Sequence, residues 1–122
     1  MKFTNNEIYN LATRLNEAFK DTEQRLPIKL NFFLQKNKKT IIEFAQEIEE
    51  NRVNILREYG EVDETNGNVN IPEDKIAIVN KEIIDLLNIE QEVAIKTVKF
   101  EDIPEDVSLT TGQMEAIIFM VE

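Results

Sequence analysis

The sequence predicts an α+β domain that is mostly helix, and three observations lead there. Capping boxes, Thr4-x-x-Glu7 and Thr110-x-x-Gln113, stand ahead of apolar residues at helical spacing near both ends. One apolar stripe runs from about 26 to 59 at steps of three, four or seven. A short stretch around Asn66-Gly67 carries the turn chemistry of a β-hairpin. The expected order is two N-terminal helices, the second one long. A small β-hairpin and strand element with two further helices follows. At 122 residues the chain fits a single domain over 1–122 with one modest core.

The first helix is expected from Asn5 to Lys20, because Ile8, Leu11, Leu15, Ala18 and Phe19 recur on one face after the Thr4 cap. Asp21 to Arg25 reads as a polar linker. Pro27 suits the first turn of a second helix, where its missing N–H costs nothing. Leu30, Leu34, Ile41, Phe44, Ile48, Ile55 and Tyr59 then form the stripe, with Asn37 and Arg52 in its gaps. Ile42, Ala45, Val53 and Leu56 lie on an adjoining face, so this helix should touch more than one neighbour. Gly60 reads as its C-terminal stop.

The charges of this segment are sorted against the helix dipole. Lys29, Lys36, Lys38 and Lys39 come first; Glu43, Glu47, Glu49, Glu50 and Glu58 come later. A split would relieve that conflict. Ile28, Leu30, Phe32 and Leu34 alternate as in a half-buried strand, and Thr40-x-x-Glu43 is a capping box that could start a fresh helix. The continuous helix is preferred, because Leu30 and Leu34 run in phase into Ile41 and Phe44.

Beyond Gly60, Asn66-Gly67 marks a two-residue hairpin turn. Pro72-Glu73-Asp74 opens a third helix, with Ile76, Val79, Ile83, Leu86 and Leu87 as its stripe. Val93 to Phe100, reading VAIKTVKF, is the strongest strand expectation in the chain. Residues 102–106 read as a loop. Met114, Ile117, Ile118 and Val121 follow the last capping box as a short helix.

Composition narrows the chemistry. The chain has no Cys and no His, which removes thiol nucleophiles, imidazole bases, disulfides and the usual zinc, haem and copper ligands. The net charge of −10 opposes direct nucleic-acid binding, which depends on neutralising phosphates. It suits contact with a basic protein surface. No apolar run approaches the roughly 18 residues of a membrane span, and the first residues lack a signal-peptide core. A cytoplasmic location is expected.

Read as a calcium loop, Val62 to Glu73 supplies Glu64, Asn66, Gly67 and Glu73 in frame, but puts Val62 where the motif needs Asp. The hairpin is the better reading. Glu49/Glu50, Asp63/Glu64, Glu73/Asp74, Glu101/Asp102 and Glu105/Asp106 are adjacent acids that point in different directions, and read as solvated surface. Gly60, Gly67 and Gly112 belong to no phosphate-cradling pattern. Lys36, Lys38 and Lys39 with Phe32 and Phe33 form a basic cluster beside aromatics, which reads as a solvated helix face. Phe32, Phe33 and Leu34 cannot all face one neighbour, since successive helical residues point about 100° apart. No catalytic, cofactor-binding or metal-binding residue is assigned.

Several points of the chain carry a resemblance: Leu26-Pro27-Ile28-Lys29, Lys36-Asn37, Glu58-Tyr59-Gly60 with the Asn/Gly turn, and Leu109 through Gln113-Met114-Glu115 to Phe119-Met120-Val121. In these the sequence is similar to small uncharacterised proteins of tailed phages and prophages of Gram-positive bacteria. The resemblance implies a phage origin and transfers no site residues.

The expected function is a non-enzymatic, phage-encoded protein that binds a host or phage protein in the host cytoplasm. Its sharpest form is an acidic inhibitor of a host defence or nucleic-acid-handling factor, with binding weakened by salt and by charge reversal at Glu47 and Glu50. A tail or virion assembly accessory or chaperone is the first alternative. A module sequestering a small molecule or nucleotide is the second. Antiparallel pairing of the long helix with a second copy would set each basic half beside an acidic one.

Overall fold

A computed structural model describes residues 1–21, 23–104 and 108–122. It is an α+β fold dominated by helix, as the sequence predicts. The order is β1 (Lys2–Thr4), α1 (Asn5–Ala18), α2 (Ile28–Tyr59), β2 (Glu61–Val62), β3 (Val69–Asn70), α3 (Ile76–Leu87), β4 (Glu90–Glu92) and α4 (Thr111–Ile117). Single 3₁₀ turns lead into α3, follow Lys99 and extend α4 to Met120. The strands form two antiparallel pairs. In one, β1 meets β4 with Phe3 opposite Gln91; in the other, β2 meets β3 with Val62 opposite Val69.

Both terminal capping boxes are made. The Thr4 side chain accepts the Glu7 N–H at 3.1 Å, while Glu7 accepts the Thr4 N–H at 2.9 Å. Thr110 and Gln113 make the same reciprocal pair. α1 stops at Ala18, two residues short of the expected Lys20.

α2 is one unbroken helix of 32 residues. Among Ile28, Leu30, Phe32 and Leu34, only Leu30 and Leu34 are buried; Ile28 is 90% and Phe32 56% exposed. Burial at i and i+4 with exposure between them is the helical phase, so the strand reading fails. Thr40 lies inside the helix and starts nothing. The helix begins at Ile28 rather than 26, with Pro27 as its N-cap. The dipole conflict also dissolves. Dipole effects are confined to the terminal turns. In the first turn Lys29 is met by Asp102 at 3.0 Å. The last turn contains Arg57 beside Glu58.

Gly60 does end α2, its N–H donating to Leu56 O at 2.9 Å. It is not left-handed, however: its φ is −109°. Glycine is required there for space, since a Cβ would run into Val69, Ile71 and the Leu56 carbonyl. The hairpin turn is longer than the two residues expected. Asp63 N–H donates to Asn68 O, and Gly67 N–H donates to Asp63 O, both at 2.7 Å. That makes a four-residue loop, closed by Gly67 at φ 74°.

The strand expected at Val93–Phe100 is corrected. The ladder strand is β4, just before it. Residues 93–97 lie outside any strand, and Val98 makes only an isolated parallel bridge with Val121. β-rich composition cannot make a ladder where no second strand runs alongside. The Asn37 side chain takes the place of one. Its Nδ2 donates to Lys96 O and its Oδ1 accepts the Lys96 N–H, both at 2.8 Å.

The core is one cluster. It joins Ile8 and Leu15 of α1, Leu30, Leu34, Ile41 and Ile48 of α2, Val93, Val98, Ile117 and Met120. Of the Phe32-Phe33-Leu34 run, Leu34 is buried, Phe33 packs at the core's edge and Phe32 is exposed. The buried polar residues among those described are Asn5, Asn37 and Gln113, all neutral amides, and each joins separate segments. Asn5 links α1 to Leu86 O and to Gln91. Gln113 donates to Ala18 O, capping the end of α1, and pairs reciprocally with the Gln24 amide. Neutral amides supply donors and acceptors in the interior without the cost of a buried charge.

Candidate functional site

The titratable groups furthest from their ordinary values form a chain from α1 to α2. Tyr9 OH donates to Glu49 at 2.7 Å, and Arg52, one turn along α2, donates from Nε to the same carboxylate at 2.9 Å. Arg52 and Tyr9 both stabilise the Glu49 anion, which lowers its pKa to about 2. Partial burial, then the Glu49 acceptor, push Tyr9 up to about 12. Each group is thereby fixed in its neutral-pH form. General acid–base chemistry needs the opposite, a pKa drawn toward the working pH. This cluster ties helices together. A second contact of the same type joins Tyr59 OH to Glu82 at 2.7 Å, and raises Tyr59.

The acid pairs separate accordingly. Glu49 is half-buried in the network just described, and Asp102 is held by Lys29, which lowers its pKa; neither is the freely solvated acid expected. Glu50, Glu64, Glu73, Asp74 and Glu101 are exposed. Glu105 and Asp106 lie outside the described residues. The calcium frame is occupied by its own hairpin. Asp63 accepts from the Thr65 N–H and hydroxyl, and Asn66 accepts the Asn68 N–H. Among the described residues no three acidic side chains converge as metal ligands.

The basic cluster divides as well. Lys36 lies 5.1 Å from the centre of the Phe32 ring, a cation–π contact on the outer face of α2. Lys38 turns to a cleft of about 440 Å³ bounded by Phe19, Gln24, Arg25, Leu26 and Asn31. A smaller, almost wholly apolar groove of about 240 Å³ runs between Phe100, Met114, Ile118 and Val121.

Two surfaces stand open among the described residues. The first is the end made by the hairpin and α3. Residues 58–85 contain eight acids against two bases, a net of −6. Within that field Val62, Ile76, Ile78 and Ile84 are exposed, and Val79 is the only buried residue of α3. Exposed aliphatic side chains grouped on one helix and its neighbouring hairpin are the kind of surface that a partner covers. The second is the outer face of α2. Ile28, Phe32, Lys36, Lys39, Glu43, Glu47, Glu50, Asn54 and Glu58 follow at steps of three and four, and all nine are exposed. They form one stripe about 45 Å long at 1.5 Å per residue. It places Glu47 and Glu50, expected to meet a partner, on the same open face as Lys36 and Lys39. The charge order was legible in the sequence. That the whole stripe faces outward needed the burial pattern of Leu34, Asn37, Ile41 and Ile48 behind it.

No helix among the described residues is long and apolar enough to cross a membrane. Compared with models of protein families, with curated proteins and with solved structures, the chain matches none.

Proposed function

We propose that the chain is a non-enzymatic, phage-encoded protein that binds another protein through the acidic end formed by the hairpin and α3. The single observation that carries this reading is the pairing of exposed aliphatic residues with one sign of charge: Val62, Ile76, Ile78 and Ile84 amid the exposed Glu58, Glu61, Glu64, Glu73 and Asp74. Apolar area supplies affinity, and a uniform acidic rim selects a basic partner and speeds encounter. Such a partner is a host protein whose basic surface ordinarily holds nucleic acid, and the chain acts as its inhibitor. The locked states of Tyr9 and Glu49 agree with a binding rather than a catalytic role.

The test is affinity capture from host extract by the wild-type chain, beside Ile78→Asp and a Glu61→Lys/Glu73→Lys/Asp74→Lys variant. One basic host protein should be retained by the wild type, released by raised salt, and lost with either variant while the helical circular dichroism is unchanged. Retention of virion proteins instead would favour an assembly role. A thermal shift with a nucleotide, and no protein captured, would favour a sequestering module.

A further inference from the structure

The nine exposed residues of the α2 stripe are spaced symmetrically about Glu43. Counting outward, Lys39 and Glu47 stand four residues to either side, Lys36 and Glu50 seven, Phe32 and Asn54 eleven, Ile28 and Glu58 fifteen. Every basic residue on one arm thus matches an acidic residue at equal distance on the other. We infer that this face is the docking surface for a second copy of the same chain, the two α2 helices lying antiparallel with a two-fold axis at Glu43.

The charges commit both the occupant and the direction. A two-fold operation about Glu43 lays Lys39 beside Glu47 of the second copy and Lys36 beside its Glu50, and repeats both pairs on the other side of the axis. Parallel pairing would set lysine on lysine and glutamate on glutamate, so it is repelled. A basic partner of any other kind would meet Lys36 and Lys39 as well as the glutamates; only a surface with the reverse order complements the whole stripe, and the stripe reversed is such a surface. Phe32 and Ile28 extend the contact at each end, where the Phe32 ring, already under Lys36, gains a cover. Among the described residues both stand open: Ile28 is 90% and Phe32 56% exposed. One contact is unfavourable. The two Glu43 side chains meet across the axis, and their like charges keep the pair weak. The stripe shares Glu58 with the proposed partner surface but none of its exposed aliphatic residues, Val62, Ile76, Ile78 and Ile84, so this inference does not depend on the proposed partner.

Sedimentation and light scattering of the purified full chain over a concentration series test it. The wild type should dimerise reversibly, more weakly at 1 M salt, where the Debye length falls to about 3 Å from about 10 Å at 0.1 M. Glu43→Gln should tighten the dimer. Lys36→Glu/Lys39→Glu alone should be monomeric, as should Glu47→Lys/Glu50→Lys alone, each with a dissociation constant raised tenfold or more, on the order of 1.4 kcal/mol. Mixed one to one, the two variants should pair with each other, since each then carries the complement of the other. That recovery cannot arise from misfolding. A wild type monomeric at every concentration and salt, a Glu43→Gln variant that weakens a dimer, or a mixture that stays monomeric would each overturn the proposal.

Discussion

The two ends of α2 live in different surroundings. From Leu30 to Ile48 the helix crosses the core, and Leu30, Leu34, Asn37, Ile41 and Ile48 are each no more than 2% exposed. Beyond Ile48 no residue of the helix is buried, although Val53, Ile55, Leu56 and Tyr59 continue the apolar pattern. The neighbours explain the difference. The first part is enclosed by α1, the Val93–Val98 segment and the C-terminal helix. The last part has α3 and a two-residue-strand hairpin, which cover one side only. An apolar stripe therefore reports which face of a helix has company, and says little about how completely that company encloses it.

The largest effect should come from truncating the enclosed part. Leu34→Ala or Ile41→Ala should cost about 2–5 kcal/mol in denaturant unfolding, through lost transfer energy and an unfilled cavity. Ile55→Ala, on the same stripe but half-buried, should cost less than half as much. Equal losses would erase the distinction between the two ends.

Next in size is Asn37→Leu. It keeps the branched shape but strands the part-buried Lys96 N–H and C=O, at about 1 kcal/mol, the low end of the penalty for an unpaired group. Chemical denaturation gives the loss. Amide exchange locates it, because the Lys96 amide should lose protection while the hairpin amides remain unchanged.

The smallest effect tests the boundary, where Glu49, one residue past Ile48, is held by Arg52 and by Tyr9 of α1. The Glu49 pKa is lowered in the folded state, so its contribution is present above the unfolded value near 4.5 and is lost as pH falls toward about 2. The Tyr9 pKa is raised, so its contribution is present below 10 and is lost as pH rises toward about 12. The Glu49 side chain is 44% exposed, so solvent screens much of this, leaving roughly 1 kcal/mol or less. Tyr9→Phe should flatten the stability profile in both windows, measured as the denaturation midpoint against pH. An unaltered acid limb would show that Arg52 alone holds Glu49.

These differences bear on what the sequence disclosed. The starts of α1 and α4 were legible from their capping boxes, because a cap is local chemistry; their ends were less so, α1 stopping at Ala18 and α4 passing into a 3₁₀ turn after Ile117, short of the expected Val121. The β1–β4 ladder was not legible. Its partners are Lys-Phe-Thr and Glu-Gln-Glu, only three residues each, and the side-chain bond that ties them, Gln91 to Asn5, spans 86 residues. Conversely, VAIKTVKF has strand composition without an adjacent strand. Asn37 read as a gap in an apolar stripe, and its role emerged only with Lys96, 59 residues away, at its side. The Tyr9–Glu49 bond spans 40 residues and left no local trace. The outer face of α2 was legible as a charge order. Its symmetry about Glu43 became meaningful once all nine residues were found on the surface.

The β1–β4 pairing has a consequence for the order of events in folding. Lys2 lies opposite Glu92, so this ladder cannot close until the intervening chain has been gathered up. The helices need only near neighbours and form within about a microsecond, whereas closure of so large a loop carries an entropic cost repaid only by distant contacts. Asn5 sits at the junction, bonded to Leu86 O and Gln91 from the first turn of α1. The arrival of α3 and β4 at Asn5 is thus the expected late step, and a newly made chain passes through a stage in which its helices exist while its first residues still lack their partner.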